Sequence, residues 1–165
     1  SLLYLFMEYG ILEKSRFYLF YLSTYVMRST KMINTQPEVC NLCGGKVIYT
    51  SNARVYHGRE YGSGYCYLCL ACGAYVGTHK PHPKEALGLL ADERMRKGKI
   101  MCHALFDAMW KGKKHEKRER DALYRWLAEE MAIPVEDCHF GYFNIEQLRQ
   151  AYRILKRRSE QDGII

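Results

Sequence analysis

Cys40-Asn41-Leu42-Cys43-Gly44-Gly45 and Cys69-Leu70-Ala71-Cys72-Gly73 decide how this chain is read. A C-x-x-C pair puts two thiolates on one tight turn, and two such turns brought together make a tetrahedral site. Four sulfurs suit Zn²⁺, which has no redox chemistry and takes thiolate at about 2.3 Å. The glycine behind each pair supplies positive φ cheaply, so that backbone N–H groups can turn toward sulfur. Twenty-five residues separate Cys43 from Cys69, enough for a β-hairpin between the turns. The expectation is one structural Zn²⁺ held by Cys40, Cys43, Cys69 and Cys72. With all four positions filled by cysteine, no ligand position stays open for a reactive water.

The chain has seven cysteines, an odd number that argues against a complete internal disulfide framework. Paired C-x-x-C spacing without a recognisable signal peptide reads as zinc in a reducing compartment, hence a cytoplasmic location. Cys66-Tyr67-Leu68-Cys69 is also a C-x-x-C, and spacing alone leaves a Cys66/Cys69 pair open. Cys69/Cys72 is favoured because Gly73 mirrors Gly44 and because Cys66 then lies on the incoming strand. Cys66, Cys102 and Cys138 read as small buried hydrophobes.

At 165 residues, 48% hydrophobic and 26% charged, the chain has a globular composition and room for an adequate core. Its 25 Lys and Arg against 18 Asp and Glu give a net charge of +7. A four-thiolate zinc centre adds −4 and +2, lowering this to about +5. Such a balance is compatible with nucleic acid without demanding it.

Residues 1–31 differ from the rest. Leu2 to Met7 and Phe17 to Leu22 are apolar runs interrupted by Glu8, Glu13, Lys14 and Arg16, too short for a membrane span. Three readings fit: an apolar element capping this domain or a partner, a membrane-surface segment, or an extension upstream of a natural start at Met32.

From Lys46 the pattern alternates through Val47 and Tyr49, then Ala53 to Tyr56, and resumes at Tyr65-Cys66-Tyr67-Leu68. This predicts a zinc-ribbon module over 36–80, with 74–77 as a third strand. After Pro83 the pattern reads as helical. Leu87, Leu90 and Met95 open a first helix, Gly98 divides the stretch, and Leu123, Trp126, Leu127 and Met131 form the stripe of another helix ending before Pro134. Asn144 with Gln147 is a capping-box pattern that opens a last helix. The fold class is therefore α+β: a zinc-ribbon-like β module followed by a three- to four-helix part over 81–160.

The pattern of Cys40-Asn-Leu-Cys43-Gly-Gly and Cys69-Leu-Ala-Cys72-Gly-Ala-Tyr-Val-Gly-Thr-His79 resembles the zinc-finger-containing domain of phage and prophage proteins. The likeness continues through Leu87-Gly88, Ala91-Asp92, His103-Ala-Leu-Phe106-Asp107, Trp110, Tyr124-Arg-Trp126-Leu127 and Cys138-His139-Phe-Gly141-Tyr-Phe143. It spans about Cys40 to Tyr152 in consistent order and leaves out 1–31. The resemblance implies zinc and a viral or bacterial origin, but no particular reaction.

Two further groups are candidates for function. His79, His103, Asp107 and His139 could converge as a second polar site, for a metal or for acid–base work, since imidazole does both. The plainer reading is that these histidines fix helix packing. No His-Glu-x-x-His and no Walker lysine loop occurs. The run from Lys111 to Arg120 holds Lys111, Lys113, Lys114, Lys117, Arg118 and Arg120 against two glutamates, a pattern able to neutralise phosphates. Arg94, Arg96, Lys97 and Lys99 form a second basic cluster. Tyr49, Tyr56, Tyr61, Tyr65 and Tyr67 could stack on unpaired bases. The expected function is a non-enzymatic module binding DNA or RNA. The alternatives are a module binding a host or phage protein, supported by the apolar start, and a metal-dependent enzyme using the histidines.

Overall fold

The computed structural model describes residues 33–164, which fall within one compact unit. The apolar start, with the capping, membrane-surface and upstream-extension readings attached to it, lies outside the described residues. Three antiparallel strands, β1 (Val47–Ser51), β2 (Tyr65–Cys69) and β3 (Tyr75–Gly77), form a sheet in sequence order. Three helices follow: α1 (Glu93–Trp110), α2 (Glu116–Met131) and α3 (Ile145–Gln161). This is the α+β architecture anticipated from the spacing. Among the described residues no helix is long and apolar enough to cross a membrane.

β1 pairs with β2 in the register Val47↔Cys69, Tyr49↔Tyr67, Ser51↔Tyr65, and β2 with β3 through Tyr67↔Val76. Side chains alternate across a strand, so Val47, Tyr67, Cys69 and Val76 share a face. They join Cys40, Ala74, Ala86 and Leu90 in a small buried cluster. β1 stops at Ser51, earlier than the sequence pattern implied. Ser51 Oγ accepts from Ala53 N–H at 3.1 Å and turns the chain into a short 3-10 segment over Asn52–Arg54. Asn52 is buried and clamps the loop, donating to Tyr61 O at 2.6 Å and accepting from Tyr61 N–H at 3.2 Å.

The segment after Pro83 is not helical. Ala86, Gly88 and Leu90 are buried, while Leu87 is exposed and Leu89 half-buried, an alternation of period two. Bridges Thr78↔Ala86 and Tyr75↔Ala91 lay the segment back along β3, with Leu87 N–H donating to Gly77 O at 2.9 Å. Gly88 sits at φ +152, outside helical backbone, and only glycine fits there because a Cβ would stand 2.2 Å from Gly141 O. The backbone crossing at Gly88 and Gly141 joins the ribbon to the helical part, and Leu89 N–H donates to Gly141 O across it at 3.0 Å.

α1 begins only at Glu93, capped by the Asp92 side chain accepting from Met95 N–H at 2.8 Å. It runs unbroken through Gly98, contrary to the division expected there. The missing side chain is used for packing instead, because a Cβ at Gly98 would sit 3.4 Å from Leu148 Cδ1 on α3. α2 ends at Ala132 in the left-handed conformation, two residues before Pro134. The stretch between α2 and α3 forms two short 3-10 turns, Val135–Asp137 and Phe140–Tyr142, and not a fourth α-helix. The capping box at Asn144 is present in both directions, at 2.9 Å and 3.1 Å. The three helices enclose a larger cluster around Phe106, Leu127, Phe140, Phe143, Leu148 and Leu155.

Candidate metal centre

The two C-x-x-C turns are built alike. Gly44 N–H donates to Cys40 O at 2.9 Å and Gly73 N–H to Cys69 O at 3.1 Å, and both glycines sit at φ +72. Each turn is closed by its first cysteine, with Cys40 N–H donating to Gly45 O at 2.9 Å and Cys69 N–H to Ala74 O at 2.8 Å. These bonds aim further N–H groups at sulfur: Leu42 N–H approaches Cys40 Sγ and Gly45 N–H approaches Cys43 Sγ, both at 3.4 Å.

β1 and β2 then bring the turns face to face. The donor sulfurs of Cys40, Cys43, Cys69 and Cys72 all lie within 4.8 Å of one another. Cys40 Sγ is 3.7 Å from Cys72 Sγ, and Cys43 Sγ is 3.5 Å from Cys69 Sγ. A tetrahedron of sulfurs about 2.3 Å from a central zinc has edges of about 3.8 Å. The spacing fits the ion, and the four cysteines are positioned to bind one zinc. Cys40 and Cys69 are buried and Cys43 and Cys72 exposed, so the site has an inner and an outer pair. The Cys69 thiol is lowered to about 6, first by the backbone N–H of Cys72 and then by that of Ala71. A thiol already inclined to ionise exchanges its proton for a metal readily. Cys66 lies fully buried on β2, outside this group.

A family description for a zinc-finger-containing domain matches residues 36–158. The chain belongs to that family. No curated protein and no solved structure matches it. In this zinc-finger-containing domain protein the metal's place is structural: four cysteines close the site and the ribbon cluster behind it is small.

Among the described residues, the four cysteines are the one group of three or more ligand-type side chains whose donor atoms come so close. His79, His103, Asp107 and His139 form no such group. His79 is exposed after β3, its N–H donating to Glu85 O. His103 packs edge-on to Phe140 with ring centroids 4.7 Å apart, while His139 lies against Tyr124 and Tyr142. Both histidines are exposed by accessible surface, and the partial desolvation they do undergo holds each below the ordinary value. Asp107 is engaged by Lys111 at 2.7 Å and by Trp110 Nε1 at 3.2 Å.

The basic run divides in two. Lys111 is tied to Asp107, and Arg120 leans over Trp110 and toward Asp121 at 3.8 Å. Lys113, Lys114, Lys117 and Arg118 are exposed and form no ion pair among the described residues. Beside Lys117 and Arg118 lies an open depression of about 550 Å³, lined by these two with His115, Arg125 and the carboxylates of Glu116 and Asp121. The second basic cluster is largely consumed internally. Lys97 pairs with Glu93 at 2.7 Å, and Arg96 caps the Tyr75 ring while donating to Ala91 O. Lys99 Nζ donates to Leu89 O and Gly141 O, both at 3.2 Å, and is lowered to about 8 by burial and then by Arg96. Of the tyrosines, Tyr49 and Tyr65 are exposed and stacked at 5.0 Å, whereas Tyr67 is buried with its hydroxyl donating to Lys84 O. Sequence reasoning missed the Lys99 bridge between ribbon and helices. A basic side chain near two others carries no signal that separates a buried bond from a solvated charge.

Proposed function

We propose that this zinc-ordered protein is a non-enzymatic nucleic-acid-binding module acting in the reducing cytoplasm of a bacterial or phage-infected cell. The observation that carries the reading is a group of exposed cations with no ion pair among the described residues: Lys113 and Lys114 in the turn between α1 and α2, and Lys117 and Arg118 in the first turn of α2. Cations without carboxylate partners are free to replace the counterions of phosphate, which gives binding a steep dependence on salt. Zinc holds the ribbon, and the ribbon braces the start of α1 through Arg96 on Tyr75. The basic turn stands at the other end of that helix, about 22 Å away at 1.5 Å per residue.

The test is oligonucleotide binding measured across a salt series. Four phosphate contacts give a slope of log K against log salt of about −2.8 for a single strand. The variant carrying Lys113→Glu, Lys114→Glu, Lys117→Glu and Arg118→Glu should bind at least tenfold more weakly at low salt. Binding absent from the wild type, or unchanged in the variant, overturns the reading.

A further inference from the structure

A cleft adjoins the basic turn, and its lining differs from the turn in kind. It measures about 270 Å³ and lies among α1, α2 and the C-terminal end of α3. Met109, Leu123 and the half-buried Trp126 supply apolar and aromatic surface. Four charged groups converge on the same space: Lys113 and Arg158 as donors, Glu119 and Asp162 as acceptors. Arg158 Cζ lies 5.0 Å from the centre of the Trp126 ring, and its Nε donates to Asp162 Oδ2 at 2.8 Å, so the guanidinium is tethered over the indole.

The charges inside the cleft cancel, two against two, and its carboxylates would repel a phosphate. Next to Lys113 in the chain, Lys114 is exposed and forms no ion pair among the described residues, while Lys117 and Arg118 line the separate depression of about 550 Å³. Lys113 belongs to both cleft and turn. A polymer with phosphates on its outside and flat, apolar rings edged by donors and acceptors matches this division. The cleft falls just under the roughly 300 Å³ at which drug-sized sites begin, a size for one ring system and not a whole nucleotide.

We infer that the α1–α2–α3 cleft receives a single unpaired nucleobase of a strand whose phosphates run along the basic turn. The inference rests on the nucleic-acid reading above and narrows it to single strands, because a base inside a duplex is stacked and paired and cannot enter without being extruded. Its ring stacks on the Arg158–Trp126 layer, and its polar edge meets Lys113, Glu119 and Asp162. Nothing in the cleft selects the sugar, so DNA and RNA single strands of the same sequence bind alike.

Ala122 lines the cleft, is exposed, and sits on α2, where a larger side chain costs the fold little. Ala122→Trp therefore plugs the cleft and leaves the four free cations in place. Binding is measured for single-stranded DNA, single-stranded RNA and the matching duplex at one salt concentration, with folding of each variant checked by circular dichroism. The wild type should prefer both single strands to the duplex by tenfold or more. Ala122→Trp should lose that preference while keeping its duplex affinity. In a Trp110→Phe background, where Trp126 is the remaining tryptophan of the described residues, a single strand should quench the fluorescence and a duplex should not. Equal affinity for strand and duplex overturns the cleft assignment and leaves the basic-turn reading standing, as does Ala122→Trp with its preference intact. No binding to any oligonucleotide overturns both.

Discussion

Gly45 and Ala74 occupy the same place behind the two C-x-x-C turns, yet only one of them tolerates a methyl group. A Cβ at Gly45 would lie 2.7 Å from Ala71 Cβ and 3.2 Å and 3.3 Å from the sulfurs of Cys43 and Cys69. The residues of the metal site were legible in the sequence because thiolate geometry demands short, glycine-terminated turns. Spacing leaves Cys66 open as a partner of Cys69, the glycine mirror and the incoming strand favour Cys72, and the structure groups Cys72 with the other three sulfurs. Cys66→Ala should therefore retain one zinc per chain and lose about 1 kcal/mol of stability, whereas Cys69→Ala should lose the metal. Metal content of the two purified variants checks this, and a zinc-free Cys66→Ala protein would contradict the assignment. The histidines are harder to read, since an imidazole that follows a C-x-x-C turn or stands next to a cysteine resembles a ligand in sequence, while its ring contacts appear only in the fold. Partial desolvation lowers His103 and His139 in the folded state, so the unfolded chain binds more protons in that window. Their contribution to stability is then complete above the unfolded value of about 6.5 and is lost as the pH falls through the folded values. Titration of the two imidazoles by nuclear magnetic resonance should place both below the ordinary value. Values above it would contradict the partial desolvation of these rings.

At the scale of elements, helices with a cap and a stripe were legible and the connecting backbone was not. Asn144 and Gln147 announce α3 because two orphan N–H groups need partners at a helix start. Asn144→Ala should cost about 1 kcal/mol in chemical denaturation, and an unchanged midpoint would remove the box from the account. The segment 83–92 misled because Leu87 and Leu90 fall at a helical interval while the residues that are buried, Ala86, Gly88 and Leu90, fall at an extended one. The deciding fact, Gly141 O beside Gly88, is a contact across more than fifty positions that no local pattern contains. Gly98 misled in the same way. Glycine weakens a helix locally, but here it admits Leu148.

Across the whole molecule the two buried clusters are unequal. The helical cluster is large and rich in aromatic residues, while the ribbon cluster is small and includes two metal ligands, Cys40 and Cys69. A hairpin with so little apolar surface is marginal by itself, and a structural zinc supplies about 10–16 kcal/mol of apparent binding free energy that appears as folding free energy. The backbone crossing at Gly88 and Gly141, with Lys99 bonded to both sides of it, then passes the ribbon's order to the helices that carry the basic turn and its cleft. This chain of support begins at the metal. The measurement that tests it most directly is the zinc-edge X-ray absorption spectrum of the purified protein, taken together with its metal content. The account predicts one zinc per chain surrounded by four sulfurs at about 2.3 Å; absence of stoichiometric zinc, or a shell containing nitrogen or oxygen, would contradict it.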